Sequence, residues 1–223
     1  MILVLFSGGV ESTVLLKYFL KETKLLVHVL HTKLGYCDSL KLRIPEQENS
    51  NDNILNYFKK NYRGFNYSSL ELNLNNINDI QQQKFGFGYD EQWNIFFASM
   101  YAKIYQIKDI WIGQFSYNDD NRIDFNLDPL DWFYDGTLEK YALLGSGLDF
   151  NFYKDLKINF PSRNFKKQGI DSFKSKKEAF DYLEPEVKKL VRSCFGKETF
   201  CGKCIKCIQY VKYKLTNEKG EII

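Results

Sequence analysis

Four of the five cysteines of this 223-residue chain lie in one short segment near its end. The stretch SCFGKETFCGKCIKC spaces them as C-x6-C-x2-C-x2-C, and they are Cys194, Cys201, Cys204 and Cys207. Four clustered thiolates with no position left open for water are typical of a structural zinc site. The spacing predicts that these four side chains bind Zn²⁺, with an iron–sulfur cluster as the alternative it leaves open.

A second group of residues suited to chemistry lies near the start of the chain, in the loop SGGVEST of residues 7–13. The apolar run at residues 2–6 predicts a buried strand before the loop, and apolar residues with helical spacing follow it. A glycine turn that joins a strand to a helix N-terminus commonly holds an anion, because the first N–H groups of the helix point at it. The glycines alone leave open the alternative of a simple strand–helix turn.

An acidic residue, Glu11, stands inside this predicted anion site. The first strand is followed by neither G-x-x-x-x-G-K-[ST] nor G-x-G-x-x-G, which excludes a Walker P-loop and a dinucleotide fingerprint there. Hydroxyl groups at Ser12 and Thr13 can hold phosphate oxygens, while a carboxylate can support a magnesium ion bound to the same phosphates. We therefore expect the loop to cradle the pyrophosphate of a magnesium-bound nucleotide.

Predicted strands and helices alternate along the rest of the chain, which favours a doubly wound α/β fold with a parallel sheet. The predicted strands cover residues 2–6, 25–32, 65–74, 109–115 and 158–161. The predicted helices after the first cover residues 44–62, 90–105, 129–145, 175–183 and 185–194. In the second of these helices, residues with helical spacing are predicted to face the core: Trp93, Phe96, Phe97, Met100, Tyr101 and Ile104.

Ligands of such sheets bind outside the carboxyl ends of the strands. This rule groups the SGGVEST loop with residues 31–36, with the loop before Trp93 and with the polar loop at residues 113–122. His31 is accordingly predicted to take part in nucleotide binding.

The composition is that of a soluble globular protein, with 44% hydrophobic and 26% charged residues. A net charge of +3 is too small to indicate binding to nucleic acid. No apolar run approaches the roughly 18 residues of a membrane span, and the N-terminus lacks the features of a signal peptide. We expect a cytoplasmic protein without a membrane partner, with one main domain at 1–190 and the zinc segment at 191–223 packed on it.

Three motifs together resemble one enzyme family. SGGVEST resembles the S-G-G-x-D-S motif of the ATP pyrophosphatase (PP-loop) enzymes, which split ATP between its α and β phosphates. The four-cysteine segment resembles the zinc segment of the 7-cyano-7-deazaguanine synthases, and SKKEAFDYL at 175–183 resembles their S-K-x-E-[IL] stretch. The order of these motifs agrees with that family over nearly the whole chain, which is identified as a divergent member.

The resemblance implies a five-stranded parallel sheet with helices on both faces, in a family whose members often form homodimers. It implies an ATP-dependent carbon–nitrogen ligase of the queuosine biosynthesis type that uses ATP, Mg²⁺ and Zn²⁺. The carboxylate of 7-carboxy-7-deazaguanine is adenylated, and ammonia then gives an amide. A second ATP activates this amide for conversion to the nitrile, and each round releases AMP and pyrophosphate.

The resemblance also assigns roles to residues, with Ser7 and Glu11 as the catalytic pair. The phosphate loop comprises Ser7, Gly8, Gly9, Val10, Glu11, Ser12 and Thr13. The substrate-binding candidates are Asn94, which matches a family motif, and, by position alone, Asp119, Asp120, Arg122 and Asp124. Two departures from the family stand out, because the family has aspartate in place of Glu11 and arginine in place of Trp93.

Other functions stay open at this point. One is a variant that joins the deazapurine to an amine of a macromolecule, in phage or defence systems. A second is a catalytically silent nucleotide- or base-binding protein, which the substitutions at Glu11 and Trp93 favour. A third is a sulfur-transfer enzyme acting on nucleic acid, although beyond Cys37 the sequence shows neither a paired catalytic cysteine nor an RNA-binding domain.

Overall fold

The computed structural model describes residues 1–35, 44–73, 90–113, 137–161, 173, 175–191, 202, 205–217, 219 and 221–222. Five strands within these ranges form one sheet: β1 (Ile2–Leu5), β2 (Val27–Gly35), β3 (Asn66–Asn73), β4 (Asp109–Ile112) and β5 (Lys157–Asn159). Every pair of neighbouring strands is parallel, and their order across the sheet is β3-β2-β1-β4-β5. The prediction of an α/β protein with a five-stranded parallel sheet is therefore confirmed.

Helices cover both faces of this sheet. The described helices are α1 (Val10–Glu22), α2 (Ile44–Asn61), α3 (Asp90–Ile104), α4 (Thr137–Gly145), α5 (Phe150–Tyr153), α6 (Lys176–Asp181), α7 (Pro185–Leu190) and α8 (Ile205–Lys212). The sequence pattern does not predict α5 and α8. Residues 129–136 and 192–194, which belong to predicted helices, lie outside the described residues.

Strand β1 shows why the first apolar run is unbroken. Its side chains alternate between the two faces, so Ile2 and Val4 join the core under α1 and α2, whereas Leu3 and Leu5 join the core under α3. All four are buried. A strand covered by helices on both sides has no position where a polar side chain would reach water.

The core-facing stripe predicted for α3 is wrong in most of its residues, although Tyr101 does pack against the buried core. The side chains of this helix that are fully buried are small or branched, namely Ile95, Ala98, Ser99 and Ala102, whereas Ile104 is 67% exposed. Alanine brings the helix backbone close to the sheet, and the large aromatic side chains are therefore displaced to its flanks. There Trp93, Phe96 and Phe97 pack on one another, with the rings of Trp93 and Phe97 stacked.

The described part of the C-terminal segment packs on the main core. Tyr210, Tyr213 and Leu215 belong to the same buried cluster as Phe19 of α1. Cys207 lies on α8 and is buried, while Cys194, Cys201 and Cys204 lie outside the described residues. The zinc site stays a prediction.

The strand order sets the position of the site. The chain adds β2 and β3 on one side of β1, and β4 and β5 on the other side. The crevice between the carboxyl ends of β1 and β4 is therefore the topological switch point, where open α/β sheets bind their ligands. Residues 6–9 lie directly at the end of β1, and Gly113 directly follows β4.

None of the helices described here has the length and apolar character to cross a membrane.

Candidate functional site

The loop between β1 and α1 has the backbone of an anion-binding turn. Gly8 has a φ of +74°, which lies in the left-handed region where glycine is favoured. Gly9 is the N-cap of α1 and provides no side-chain cap for the helix. The N–H of Thr13 donates to the carbonyl of Gly9 over 3.0 Å, and earlier N–H groups of the first turn have no intrahelical acceptor. The turn therefore presents backbone donors at the switch point.

Two serines hold this turn together. The N–H of Ser7 donates to the hydroxyl of Ser12 over 3.2 Å, and the two hydroxyl oxygens are 3.1 Å apart. Ser12 also donates to the carbonyl of Gly9 over 3.2 Å. Ser12 is buried, whereas Ser7 is exposed. Ser12 thus braces the turn from the inside, and Ser7 is the hydroxyl that faces outward.

The third hydroxyl of the loop belongs to Thr13, which is completely buried. Its Oγ1 has no hydrogen-bond partner within the described part of the chain. A buried hydroxyl without a partner costs free energy, and Thr13 places this one in the first turn of α1.

Two glycines allow neighbouring groups to approach the loop. A Cβ added to Gly8 would lie 1.6 Å from Oδ1 of Asn51, and one added to Gly113 would lie 2.6 Å from the backbone N of Ser12. Both are far inside van der Waals contact. Glycine at these positions therefore brings the end of β4 and the side chain of Asn51 directly against the turn.

The acidic residue of the loop is paired with a buried lysine. Nζ of Lys176 lies 2.7 Å from Oε1 of Glu11, and the two side chains are 8% and 26% exposed. Lys176 begins α6, whose N-cap is Ser175, and the hydroxyl of Ser175 accepts from the N–H of Glu178 over 3.0 Å. The SKKE sequence therefore combines a helix cap with a lysine directed at the loop.

A polar network formed by His31, Glu48 and Lys33 holds the end of β1, directly before the loop. The Nδ1 of His31 donates to the carbonyl of Phe6 over 2.7 Å, and its Nε2 lies 2.7 Å from Oε1 of Glu48. The Nζ of Lys33 lies 2.7 Å from Oε2 of Glu48. Burial raises the pKa of the Glu48 carboxyl, but hydrogen bonds from His31 and Lys33 outweigh burial and hold that pKa below its usual value. Both ring nitrogens of His31 are thus engaged within the protein.

The structure brings together all the predicted phosphate-loop residues at the carboxyl edge of the sheet, with His31 beneath them. Asn94 is half-buried in the first half of α3, whose N-terminus lies at the same edge because crossover helices run antiparallel to the strands. Asp119, Asp120, Arg122 and Asp124 lie outside the described residues and stay predictions.

Four residues of the site were missed by sequence reasoning: Lys176, Glu48, Asn51 and Gly113. Lys176 had a signal, since it belongs to the SKKEAFDYL stretch that resembles a family motif. Gly113 begins the polar loop that the strand rule placed beside SGGVEST, but its close contact with Ser12 was not predicted. Glu48 and Asn51 come from a helix whose packing against the loop cannot be inferred from local pattern.

The donor set fits a phosphate group that carries its own metal ion. Backbone N–H groups, hydroxyls and one lysine surround the turn, and these bind anions. The ranges that the structure describes contain no cluster of three metal-ligating side chains. A magnesium ion bound to phosphates needs only one or two protein carboxylates, and Glu11 provides one.

No protein-family model matches this chain, and a search of curated proteins finds no match. The class of protein is therefore defined by the fold and the site themselves. It is an α/β protein with a five-stranded, all-parallel sheet, compatible with a Rossmann-like fold, and with a glycine turn at its switch point.

Proposed function

We propose that this chain is an ATP-dependent carbon–nitrogen ligase of the PP-loop type, similar to the 7-cyano-7-deazaguanine synthases. Its substrate is a carboxylate of the 7-carboxy-7-deazaguanine type. A carboxylate oxygen attacks the α phosphorus of ATP, and the bond to the β phosphate breaks to release pyrophosphate. Ammonia or another amine then displaces AMP to give the amide. When the amine is ammonia, a second ATP activates the primary amide for loss of its oxygen as the nitrile forms.

The observation that carries this proposal is the donor-rich turn at the switch point, with the ion pair of Lys176 and Glu11 beside it. Pyrophosphate is the leaving group of the adenylation step, and negative charge accumulates on it as the bond to the α phosphorus breaks. Preorganised N–H groups and a fixed cation stabilise such charge most strongly in a site that excludes water. The first turn of α1 and the buried Lys176 supply both kinds of group.

Individual residues take the following roles. The hydroxyl of Ser7 and the N–H groups around Gly8 and Gly9 bind oxygens of the pyrophosphate. Glu11 orients Lys176 toward these oxygens and contributes a carboxylate to Mg²⁺. When bound, Mg²⁺ neutralises phosphate charge. His31 and Glu48 do not touch the nucleotide, and they hold the end of β1 through the carbonyl of Phe6.

The zinc site is part of the same proposal. Cys207 is 2% exposed on α8 and lies one helical turn from Tyr210, which packs in the main core. A thiolate at this position, joined by Cys194, Cys201 and Cys204, would hold Zn²⁺ against the domain and fix the C-terminal segment. Its role is structural, because four protein ligands leave no open coordination position.

One observation favours a second candidate, a nucleotide-binding protein without turnover. Glu11 replaces the aspartate of the family motif, and its longer carboxylate reaches a buried lysine. An ion pair of this kind could serve only to hold the loop. Such a protein would bind ATP without cleaving it, so product analysis separates it from the ligase.

The test is incubation of the protein with ATP, Mg²⁺, ammonia and 7-carboxy-7-deazaguanine, followed by separation of the nucleotides and mass spectrometry of the base. The ligase produces AMP and pyrophosphate, and a base whose mass corresponds to the amide or nitrile. ADP as the product would contradict cleavage between the α and β phosphates. If a macromolecular amine is the acceptor, AMP forms only when that acceptor replaces ammonia.

A further inference from the structure

The side chain of Asn51 is a buried polar group packed against the glycine turn between β1 and α1. It lies on α2 and is 1% exposed. Its Oδ1 lies 1.6 Å from the position that a Cβ on Gly8 would occupy, so only glycine leaves room for it. That Oδ1 has no hydrogen-bond partner among the residues the structure describes. The other atom of the amide, Nδ2, lies 3.2 Å from Nε2 of His31. A buried amide of this kind is expected to satisfy both of its ends.

The hydrogen atoms on the ring nitrogens of His31 determine whether the oxygen or the nitrogen of the Asn51 amide lies next to Nε2. The carbonyl of Phe6 can only accept, so Nδ1 of His31 carries a hydrogen. Nε2 lies 2.7 Å from a carboxylate oxygen of Glu48, which also accepts, so Nε2 carries a hydrogen as well. It then has no lone pair to accept a hydrogen bond from the Nδ2 of Asn51. In this orientation of the amide, two donors face each other and an acceptor is left unpaired.

Rotation of the Asn51 amide by 180° removes both conflicts, because its oxygen and nitrogen have nearly the same shape. The oxygen then accepts from Nε2–H of His31, which is shared with Glu48. The NH₂ group takes the place beside Gly8 and points toward the turn. At that position, no donor of the described residues reaches the amide in its other orientation, so the oxygen gains no hydrogen bond by staying there.

We propose that Asn51 is a further anion-binding residue of this site, whose side-chain N–H donates to a phosphate oxygen held by the turn at Gly8. His31 and Glu48 set the orientation of the amide, so that it offers a donor and not an acceptor. The inference rests on the proposed function in one respect, namely that the turn binds the pyrophosphate part of a nucleotide. It adds a neutral donor from α2 to the backbone donors of α1.

Binding of inorganic pyrophosphate with Mg²⁺, measured by calorimetry, tests the proposal. Loss of one hydrogen bond to a charged group weakens binding by roughly 10-fold or more, and we expect this for Asn51→Ala and for Asn51→Asp. Aspartate still accepts from His31 and preserves the network, but it cannot donate. Asn53→Ala, on the exposed face of the same helix, is the matched control and should bind like the wild type. Thermal unfolding of each variant shows whether it is folded.

A readout on the unaltered protein accompanies these variants. The side-chain ¹⁵NH₂ signals of Asn51 should shift on addition of pyrophosphate, while those of Asn53 should stay in place. Pyrophosphate affinity of Asn51→Ala within twofold of the wild type, or unshifted Asn51 signals at saturation, would overturn the role of Asn51 alone. A wild-type protein that binds neither pyrophosphate nor ATP would overturn the anion turn, and with it the proposed function.

Discussion

Nζ of Lys176 lies 2.7 Å from Oε1 of Glu11, although the two residues are far apart in the sequence. The lysine is almost completely buried and the glutamate is about three-quarters covered. A buried ammonium group can pair with a phosphate as well as with a carboxylate. The acidic residue of the SGGVEST loop thus positions a positive charge inside the site, in addition to the metal-binding role that the sequence suggests.

Lys176→Met removes this charge while keeping the length of the side chain. If Lys176 stabilises departing pyrophosphate, kcat/KM for AMP formation should fall by ~100-fold, the usual effect of deleting one preorganised donor. The matched control is Lys177→Met, because Lys177 is the adjacent residue, is more exposed and pairs with Asp181 on the surface. We expect less than a twofold effect from the control. Equal losses in the two variants would contradict a specific role for Lys176.

Glu11→Asp tests whether the length of the acidic side chain matters. Removal of one methylene group withdraws the carboxylate by ~1.5 Å, which lengthens the contact to Lys176 beyond an ion pair. AMP formation should therefore fall, because errors of ~1 Å in a site cost on the order of 100-fold in rate. Steady-state kinetics provide the measurement. Higher activity in Glu11→Asp than in the wild type would show that the glutamate is a defect and not a working variant.

The cysteine segment predicts about one bound zinc ion per chain. Cys204→Ser should lose this zinc and lower the unfolding temperature, because a closed zinc site contributes its binding free energy to folding. Metal analysis by mass spectrometry and thermal unfolding provide the two measurements. Cys37→Ser is the control and should keep both the metal and the stability. Iron in place of zinc, or full metal content in Cys204→Ser, would refute the assignment.

Stability should decline in acid through carboxylates that are paired in the folded state. Burial raises the pKa of the Glu184 carboxyl, but hydrogen bonds from Tyr62 and Lys17 outweigh it, and the net effect is a lowered pKa. A lowered folded-state pKa means that the stabilisation is present above about pH 4.5, the ordinary value, and is lost as the pH falls through the folded value. Urea unfolding between pH 7 and pH 3 measures this loss.

Glu184→Gln removes that titration and should flatten the acid dependence of the free energy of unfolding. The exposed Glu186 lies two residues away, and Glu186→Gln serves as the control. An identical acid dependence in the wild type and Glu184→Gln would show that Glu184 does not contribute to it.

The parts of this fold that could be predicted are those set by local pattern. An unbroken apolar strand must be covered on both faces, and two glycines before a helix must form a tight turn. These two facts are sufficient to predict a parallel sheet and the position of the SGGVEST loop at its carboxyl edge. They depend only on neighbouring residues, which is why the strands and the loop were found.

The missed features depend on packing between distant segments. The fully buried side chains of α3 are Ile95, Ala98, Ser99 and Ala102, because small side chains permit close approach, whereas the spacing of the aromatic residues predicted that the large side chains face the core. Asn51 reads as a surface residue in a polar stretch of sequence. It is buried only because Gly8 leaves room for it. Neither outcome follows from hydrophobic periodicity alone.

The most direct test of the central claim uses 7-carboxy-7-deazaguanine labelled with ¹⁸O in its carboxylate, incubated with ATP, Mg²⁺ and ammonia. Adenylation of the carboxylate joins one of its oxygens to the α phosphorus, and the amine then leaves that oxygen on AMP. We predict that mass spectrometry will find AMP carrying one ¹⁸O atom, together with unlabelled pyrophosphate. ADP as the product, or AMP without ¹⁸O, would contradict the account.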